Sequence, residues 1–277
     1  LKVTYAILLC VTAGFVWSAE SDVQLGPRPF FLVSQMQDSP LKHQLQQCSK
    51  GPFRKTNFSI GHRGAALMFP EHTRESYEAA AKMGAGVLEC DVTFTKDKEL
   101  VLWHDADMQR VAGNAARIAD STLKEIKNHY PQAITLDKLL ILARDNKKEL
   151  AIETKHPVPS GSAVEKKVME LLAQEKPVAD IYVMSFSWRA LENIRKIDPH
   201  QKTVALLHDT FSFAMRRFTS AQSIGPGITA FRKKPHLNQD PRNLFIWTVD
   251  DADDMRFCAD NGVDVLITNT PSYARSV

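Results

Sequence analysis

The sequence predicts an α/β protein folded as a closed TIM (β/α)8 barrel. From residue 57 onward, short apolar runs alternate with amphipathic helical patterns, and charged residues gather at the C-terminal ends of those runs. About 220 residues remain for eight strand–helix units, close to the length such a barrel takes. Strand–helix alternation implies right-handed crossovers and therefore a parallel sheet. A doubly wound open sheet is the structural alternative, and it too places chemistry at strand C-terminal ends.

Taken in order, the chain opens on Lys2 followed by the almost wholly apolar Val3 to Val16, then Trp17-Ser18-Ala19-Glu20. A basic residue, a short apolar stretch and a small-residue exit describe a secretory signal peptide over 1–19, cut after Ser18 or Ala19. A bilayer span takes about 20 residues, so no stable membrane span is expected. A buried first helix is the alternative to a secreted or periplasmic destination. Residues 20–56 read as an N-terminal extension. Gly26-Pro27-Arg28-Pro29 excludes regular structure, and Ser39-Pro40 offers a cap for a short helix over Leu41–Cys48.

The barrel is expected over 57–277. Its apolar runs are Phe58–Gly61, Val87–Val92, Leu100–Trp103, Leu150–Glu153, Ile181–Met184, Thr203–Leu207, Ile228–Phe231, Leu244–Val249 and Val263–Thr268. Helical patterns fall at Glu71–Met83, Leu136–Asn146, Ala163–Glu175, Trp188–Ile197, Phe211–Ser220 and Asp251–Asn261. The net charge of +3, with no Lys/Arg run beyond three residues, argues against a nucleic-acid partner. Without residues 1–19 the cysteines are Cys48, Cys90 and Cys258, an odd set with no metal-type spacing. They allow one disulfide or buried free thiols.

The ends of the runs carry the chemistry: His62 and Arg63, Glu89 and Asp91, His104 and Asp105, Glu153 and Lys155, and Trp247. Glu89 and Asp91 stand two apart on a strand, so they share a face, about 6.6 Å apart at Cα. Cys90 between them points into the barrel wall, and Glu153 and Lys155 repeat the geometry. Three carboxylates at one mouth repel by about 4 kcal/mol per pair at 4 Å and an effective dielectric near 20. A divalent cation removes that penalty, and oxygen ligands suit Ca²⁺ or Mg²⁺ better than zinc. Solvated strand-end acids are the bland alternative. Two histidines beside a hard cation suggest phosphate-ester chemistry, one imidazole taking a proton and the other giving one. Arg63 can meet phosphate oxygens in a bidentate manner, while Lys155 supplies a point charge.

The ordered set His62-Arg63-Gly64, Pro70-Glu71-His72-Thr73, Glu89-x-Asp91, Thr93-x-Thr95-Lys96-Asp97, His104-Asp105 and Glu153-x-Lys155 resembles the glycerophosphodiester phosphodiesterase family. The similarity runs from about Ile60 to the C-terminus, with Thr122-x-x-Glu125-Ile126, Trp247-Thr248-Val249 and Ile267-Thr268-Asn269-Thr270-Pro271 as weaker parts. It implies a TIM barrel hydrolysing a small-molecule glycerophosphodiester to an alcohol and sn-glycerol 3-phosphate. It further implies His62 and His104 as the acid–base pair, Glu89, Asp91 and Glu153 as cation ligands, Arg63 and Lys155 on phosphate, and Trp247 in the pocket wall. The attacking group is a glycerol hydroxyl, through a cyclic phosphate, or water directly.

The chain departs from the family pattern at three places. His72 stands where many members carry Asn, and Pro-Glu-His-Thr resembles the secreted, periplasmic branch. Glu71 and His72 read as loop-fixing groups. Arg110 is followed by Val111-Ala112-Gly113-Asn114 rather than Thr-Thr-Asn-Gly, in a short inserted cap over about 106–131. Asn269 replaces a common Asp, a change expected to affect hydrogen bonding. His43, His129, His200 and His236 read as solvated, whereas His156 and His208 stand close enough to run ends to reach the mouth. The rival readings are a phospholipase-D-like barrel acting on sphingolipid or lysolipid, and a non-catalytic binding barrel. The latter is expected to have lost a ligand or a histidine, and this chain retains them all.

Overall fold

The computed structural model describes residues 58–274, apart from 176, 178 and 209–218. The expected signal peptide, the extension with its Leu41–Cys48 helix, His43, and most of the Phe211–Ser220 helix lie outside the described residues.

In chain order the elements are β1 (Ser59–Gly61), α1 (Arg74–Lys82), β2 (Val87–Phe94), β3 (Leu100–Leu102), β4 (Asp107–Met108), α2 (Gln109–Ala112), β5 (Asn114–Arg117) and α3 (Leu123–His129). There follow α4 (Leu136–Asp145), β6 (Glu149–Thr154), α5 (Ala163–Glu175), β7 (Ile181–Ser185), α6 (Trp188–Ile197) and β8 (Lys202–Leu207). The chain then runs through β9 (Ser223–Pro226), α7 (Ile228–Lys233), β10 (Asn243–Ile246), α8 (Ala252–Asp260), β11 (Val265–Thr268) and α9 (Pro271–Ala274). β1 pairs in parallel with both β2 and β11, which closes β1, β2 and β6 to β11 into an eight-stranded parallel barrel. The TIM barrel expected from the sequence is the fold observed.

Side-chain alternation divides the core in two. Ile60, Val87, Ala151, Met184, Leu206, Phe245 and Ile267 pack inside the barrel. Cys90, Val92, Leu150, Ile152 and Val183 face the helical layer together with Tyr77, Leu139 and Val168. Cys90 and Cys258 are buried free thiols. Local signals set the helix starts. Thr73 caps α1 by accepting from the Ser76 N–H, and Thr122 and Glu125 form a reciprocal capping box on α3.

Two apolar runs behave differently from expectation. Leu100–Trp103 gives β3, which pairs antiparallel with β2 and lies outside the barrel circuit. Ile228–Phe231 is not a strand but the start of α7, and β9 takes its place in the barrel. A short apolar run cannot be assigned by periodicity alone, whereas Ser223-Ile224-Gly225-Pro226 lacks the look of a strand. A Cβ at Gly225 would fall 2.8 Å from Leu206 Cδ2, so a larger residue there would displace that side chain.

The turn after β1 is fixed by close packing. Gly64 has φ +90, and a Cβ there would lie 2.4 Å from Ser76 Oγ. Gly64→Ala is expected to lower the unfolding free energy by roughly 1–3 kcal/mol, from backbone strain and overlap together. Urea denaturation monitored by circular dichroism measures this, and an unchanged midpoint would contradict it.

Candidate active site

The period-two rule that fills the barrel also builds its mouth. Two residues beyond the interior Ile60, Met184, Leu206, Phe245 and Ile267 stand His62, Phe186, His208, Trp247 and Asn269. On β2 and β6 the polar layer begins earlier. Asp91 lies directly across from Glu153 in the β2–β6 register, and Glu89 lies across from Ala151. One carboxylate oxygen from each of Glu89, Asp91 and Glu153 falls within 4.8 Å of the others.

A cavity of about 180 Å³ is lined by His62, Arg63, Glu89, His104, Glu153, Lys155 and Trp247, among others. Asp91 lies beside it, almost wholly buried. All eight residues singled out from the sequence therefore meet at one place. A second cavity of about 330 Å³ adjoins the first and shares His104, Glu153, Lys155 and Phe186 with it. Its remaining wall includes Thr93, Asp105, His156, Val158 and His208. His156 and His208 thus reach the mouth, His208 stacked on Phe186 with ring centroids 4.2 Å apart. His129, His200 and His236 are exposed.

Asp91 is the hub of the charges. Lys155 Nζ lies 2.9 Å from Asp91 Oδ1 and 2.8 Å from Glu153 Oε1. His72 Nε2 lies 3.0 Å from Asp91 Oδ2, while Tyr77 O–H donates to His72 Nδ1 at 2.8 Å. Arg63 Nε approaches the same Oδ2 at 3.3 Å, without the alignment of a hydrogen bond. Burial opposes the Asp91 charge, but His72, Lys155 and Arg63 together hold its carboxyl well below the usual range. Its neighbours go the other way. Burial, then the charges of Asp91 and Glu153, push Glu89 well up, and burial with Asp91 pushes Glu153 up to about 8. Burial disfavours the Lys155 ammonium, yet Asp91 and Glu153 outweigh it and raise its pKa.

Each histidine has one nitrogen committed. The Asn269 amide donates from Nδ2 to Asp250 Oδ2 at 2.7 Å, so its Oδ1 faces His62 Nδ1 at 2.8 Å and accepts. Nδ1 carries the proton, and Nε2 is left as an acceptor. Burial, followed by the Arg63 charge, lowers the His62 pKa to about 4, so the ring is neutral at neutral pH. His104 donates from Nδ1 to Asp105 Oδ1 at 2.6 Å. Burial lowers its pKa too, against the opposing pull of Asp91.

Sequence reasoning left several of these partners unassigned. Asp251 caps α8, whereas Asp250 just before it anchors Asn269 through its N–H and its side-chain amide. Glu71, read as loop-fixing, takes both oxygens to Arg63 Nη1 at 3.3 Å. His72 supports Asp91 from beneath rather than lining the cavity. Phe186 could have been found from the alternation Tyr182, Met184, Phe186 along β7.

Fold and site define an α/β-barrel enzyme with its charged cluster at the C-terminal mouth. A sequence model of the glycerophosphoryl diester phosphodiesterase family matches residues 62–273. The Mycobacterium tuberculosis protein named "Probable glycerophosphodiester phosphodiesterase 1" is 32% identical over 79% of this chain and 91% of its own. A glycerophosphodiester phosphodiesterase of Caldanaerobacter subterraneus is 29% identical over 76% of this chain and 93% of its own. Among solved structures, an Oleispira antarctica phosphodiesterase in complex with the product sn-glycerol-3-phosphate superposes with a TM-score of 0.71. It is 19% identical and covers 79% of this chain and 95% of its own. The chain belongs to the glycerophosphoryl diester phosphodiesterase family and is an enzyme that hydrolyses glycerophosphodiesters.

The crowded acids make a test independent of activity. With chelator present, Glu89→Gln is expected to melt no lower than the parent, because it removes one of three mutually repelling carboxylates. Added Ca²⁺ or Mg²⁺ is expected to raise the melting temperature of the parent and to do so far less for the variant. Differential scanning calorimetry with each ion decides the point.

Proposed function

We propose that the protein hydrolyses glycerophosphodiesters to sn-glycerol 3-phosphate and an alcohol, using a divalent cation, Ca²⁺ or Mg²⁺, with His62 and His104 as acid–base pair. The observation that supports this reading is the meeting of two tautomer-fixed histidines, Arg63 and Lys155 with three carboxylates around one small cavity. The product held by the Oleispira neighbour is the one this reading assigns.

The donor set fits a hard cation. It offers only carboxylate oxygens, and Glu89 and Glu153 are pushed up by burial and by the charge of Asp91 in a way a cation would relieve. Glu89, Asp91 and Glu153 would hold the ion, which when bound would polarise a phosphoryl oxygen. Arg63 lines the cavity and can meet a phosphate oxygen with its guanidinium. Lys155 adds positive charge at the cavity floor, and Trp247 forms a wall, its indole N–H donating to Gly225 C=O at 2.6 Å.

His62, neutral and presenting Nε2, accepts the proton of the attacking group, which is either a glycerol hydroxyl, giving a cyclic phosphate that water then opens, or water directly. The phosphorus–oxygen bond to the leaving alcohol breaks as His104, which lines both cavities, returns a proton to that oxygen. The 330 Å³ cavity beyond His104 receives the leaving alcohol. The apolar stretch Val3 to Val16 behind Lys2 supports a secreted or periplasmic placement, in keeping with Pro70-Glu71-His72-Thr73. N-terminal sequencing of protein exported by a cell expressing the full chain tests that placement, and an uncut N-terminus would refute it.

Hydrolysis of glycerophosphocholine by purified protein is expected to vanish with chelator and to return with the cation that restores it. His62→Ala and His104→Ala are each expected to lower kcat by about 10²- to 10⁴-fold. For His104→Ala the loss is expected to shrink on a glycerophosphodiester of p-nitrophenol, whose leaving oxygen needs no proton. Equal losses on both substrates would count against His104 as the acid. Preference for lysophosphatidylcholine over glycerophosphocholine would favour the phospholipase-D-like reading.

A further inference from the structure

Arg110 stands on α2 of the inserted segment, half exposed, with no role in the reading above. Its Nε donates to Asp105 Oδ2 at 2.7 Å. Its other nitrogens grip Glu71 in a fork, Nη1 to Oε2 at 2.8 Å and Nη2 to Oε1 at 2.7 Å. Both carboxylates lead on into the site. Asp105 Oδ1 accepts from His104 Nδ1, and Glu71 accepts from Arg63. One planar guanidinium therefore joins the histidine that follows β3 to the arginine that follows β1.

We propose that Arg110 is a positioning residue: by holding Asp105 and Glu71 together it fixes the His104 ring with Nδ1 as inner donor and aims Arg63 at the phosphate. The proposal rests on the roles given to His104 and Arg63 above. Two observations support it. A guanidinium can serve two carboxylates from one rigid plane, which a lysine ammonium cannot. The platform under Arg110 is itself built. Trp103, Met108, Ile118, Ile126 and Ala133 form an apolar cluster of their own, and Tyr130 packs edge-on against Trp103.

The chemistry follows from the imidazole. When Nδ1–H is held by a carboxylate, Nε2 is the nitrogen left to meet substrate. Asp105 lies just past a strand end, and Arg110 supplies the second hold on its carboxylate. Without it Asp105 can swing, and the His104 ring loses its preferred tautomer.

The test compares Arg110→Ala and Arg110→Lys in the full chain, cation-replete, with glycerophosphocholine. Arg110→Ala is expected to lower kcat about 10- to 100-fold while the protein stays folded at the assay temperature. Arg110→Lys is expected to recover only part of that loss. Nitrogen-15 spectra of the histidine rings provide a readout that a structural role would not move. His104 of the parent is expected in one tautomer with Nδ1 protonated, and Arg110→Ala is expected to show a mixture of both. Parent-like kcat, or a parent-like His104 spectrum, in Arg110→Ala overturns the proposal. A kcat loss that tracks a lowered melting temperature, with the ring spectrum unchanged, overturns it too. Should the parent hydrolyse no glycerophosphodiester, the functional reading fails, and the ring spectrum alone decides the positioning.

Discussion

Three carboxylates share the barrel mouth with two cationic side chains, and Asp91 is where the imbalance is settled. It receives Lys155, His72 and Arg63 at once, and so keeps its charge although almost no solvent reaches it. Glu89 and Glu153 are left under-compensated and drift toward protonation. Much of the surrounding structure serves this one point. His72 adopts a left-handed backbone with φ 58, which places its ring beneath Asp91, and Tyr77 on α1 holds the other nitrogen of that ring. Arg63 turns at φ 53, which lets its N–H donate to Glu89 at 2.8 Å while its side chain reaches toward Asp91. Residues in sparsely allowed backbone regions cluster where surrounding packing holds them and function uses them.

Backbone register does the same on the other side. The parallel pairing of β2 with β6 sets Asp91 against Glu153, and only a barrel closed in this register brings the acids together. A one-residue slip would turn every acid into the helical layer, where Cys90 and Ile152 now pack.

Much of this was legible because strand chemistry repeats every second residue. Glu89-x-Asp91 and Glu153-x-Lys155 announce a shared face with no knowledge of what lies across the sheet. The eight residues singled out from the sequence all arrive at one cavity for that reason. What escaped the sequence depends on three-dimensional neighbours. Asp250 anchors Asn269 and through it His62, but the link joins the end of one strand to the end of the next. The Arg110–Glu71 pair closes across 39 residues, and no local spacing marks it. The missed strand β9 is short and carries Gly225 and Pro226, whereas the apolar Ile228–Phe231 next to it had the stronger strand look.

His104 has an unusual mounting for a barrel. β3 folds back antiparallel on β2, and the Trp103 backbone N–H donates to Asp91 C=O at 3.0 Å, so His104 follows a strand that forms no part of the barrel wall. The segment after it keeps an apolar cluster separate from both barrel clusters. Closure of the barrel and support of the segment after His104 therefore draw on different sets of side chains. A substitution within that cluster can shift the footing of His104 and leave the packing that closes the barrel untouched, a division of labour between frame and rim.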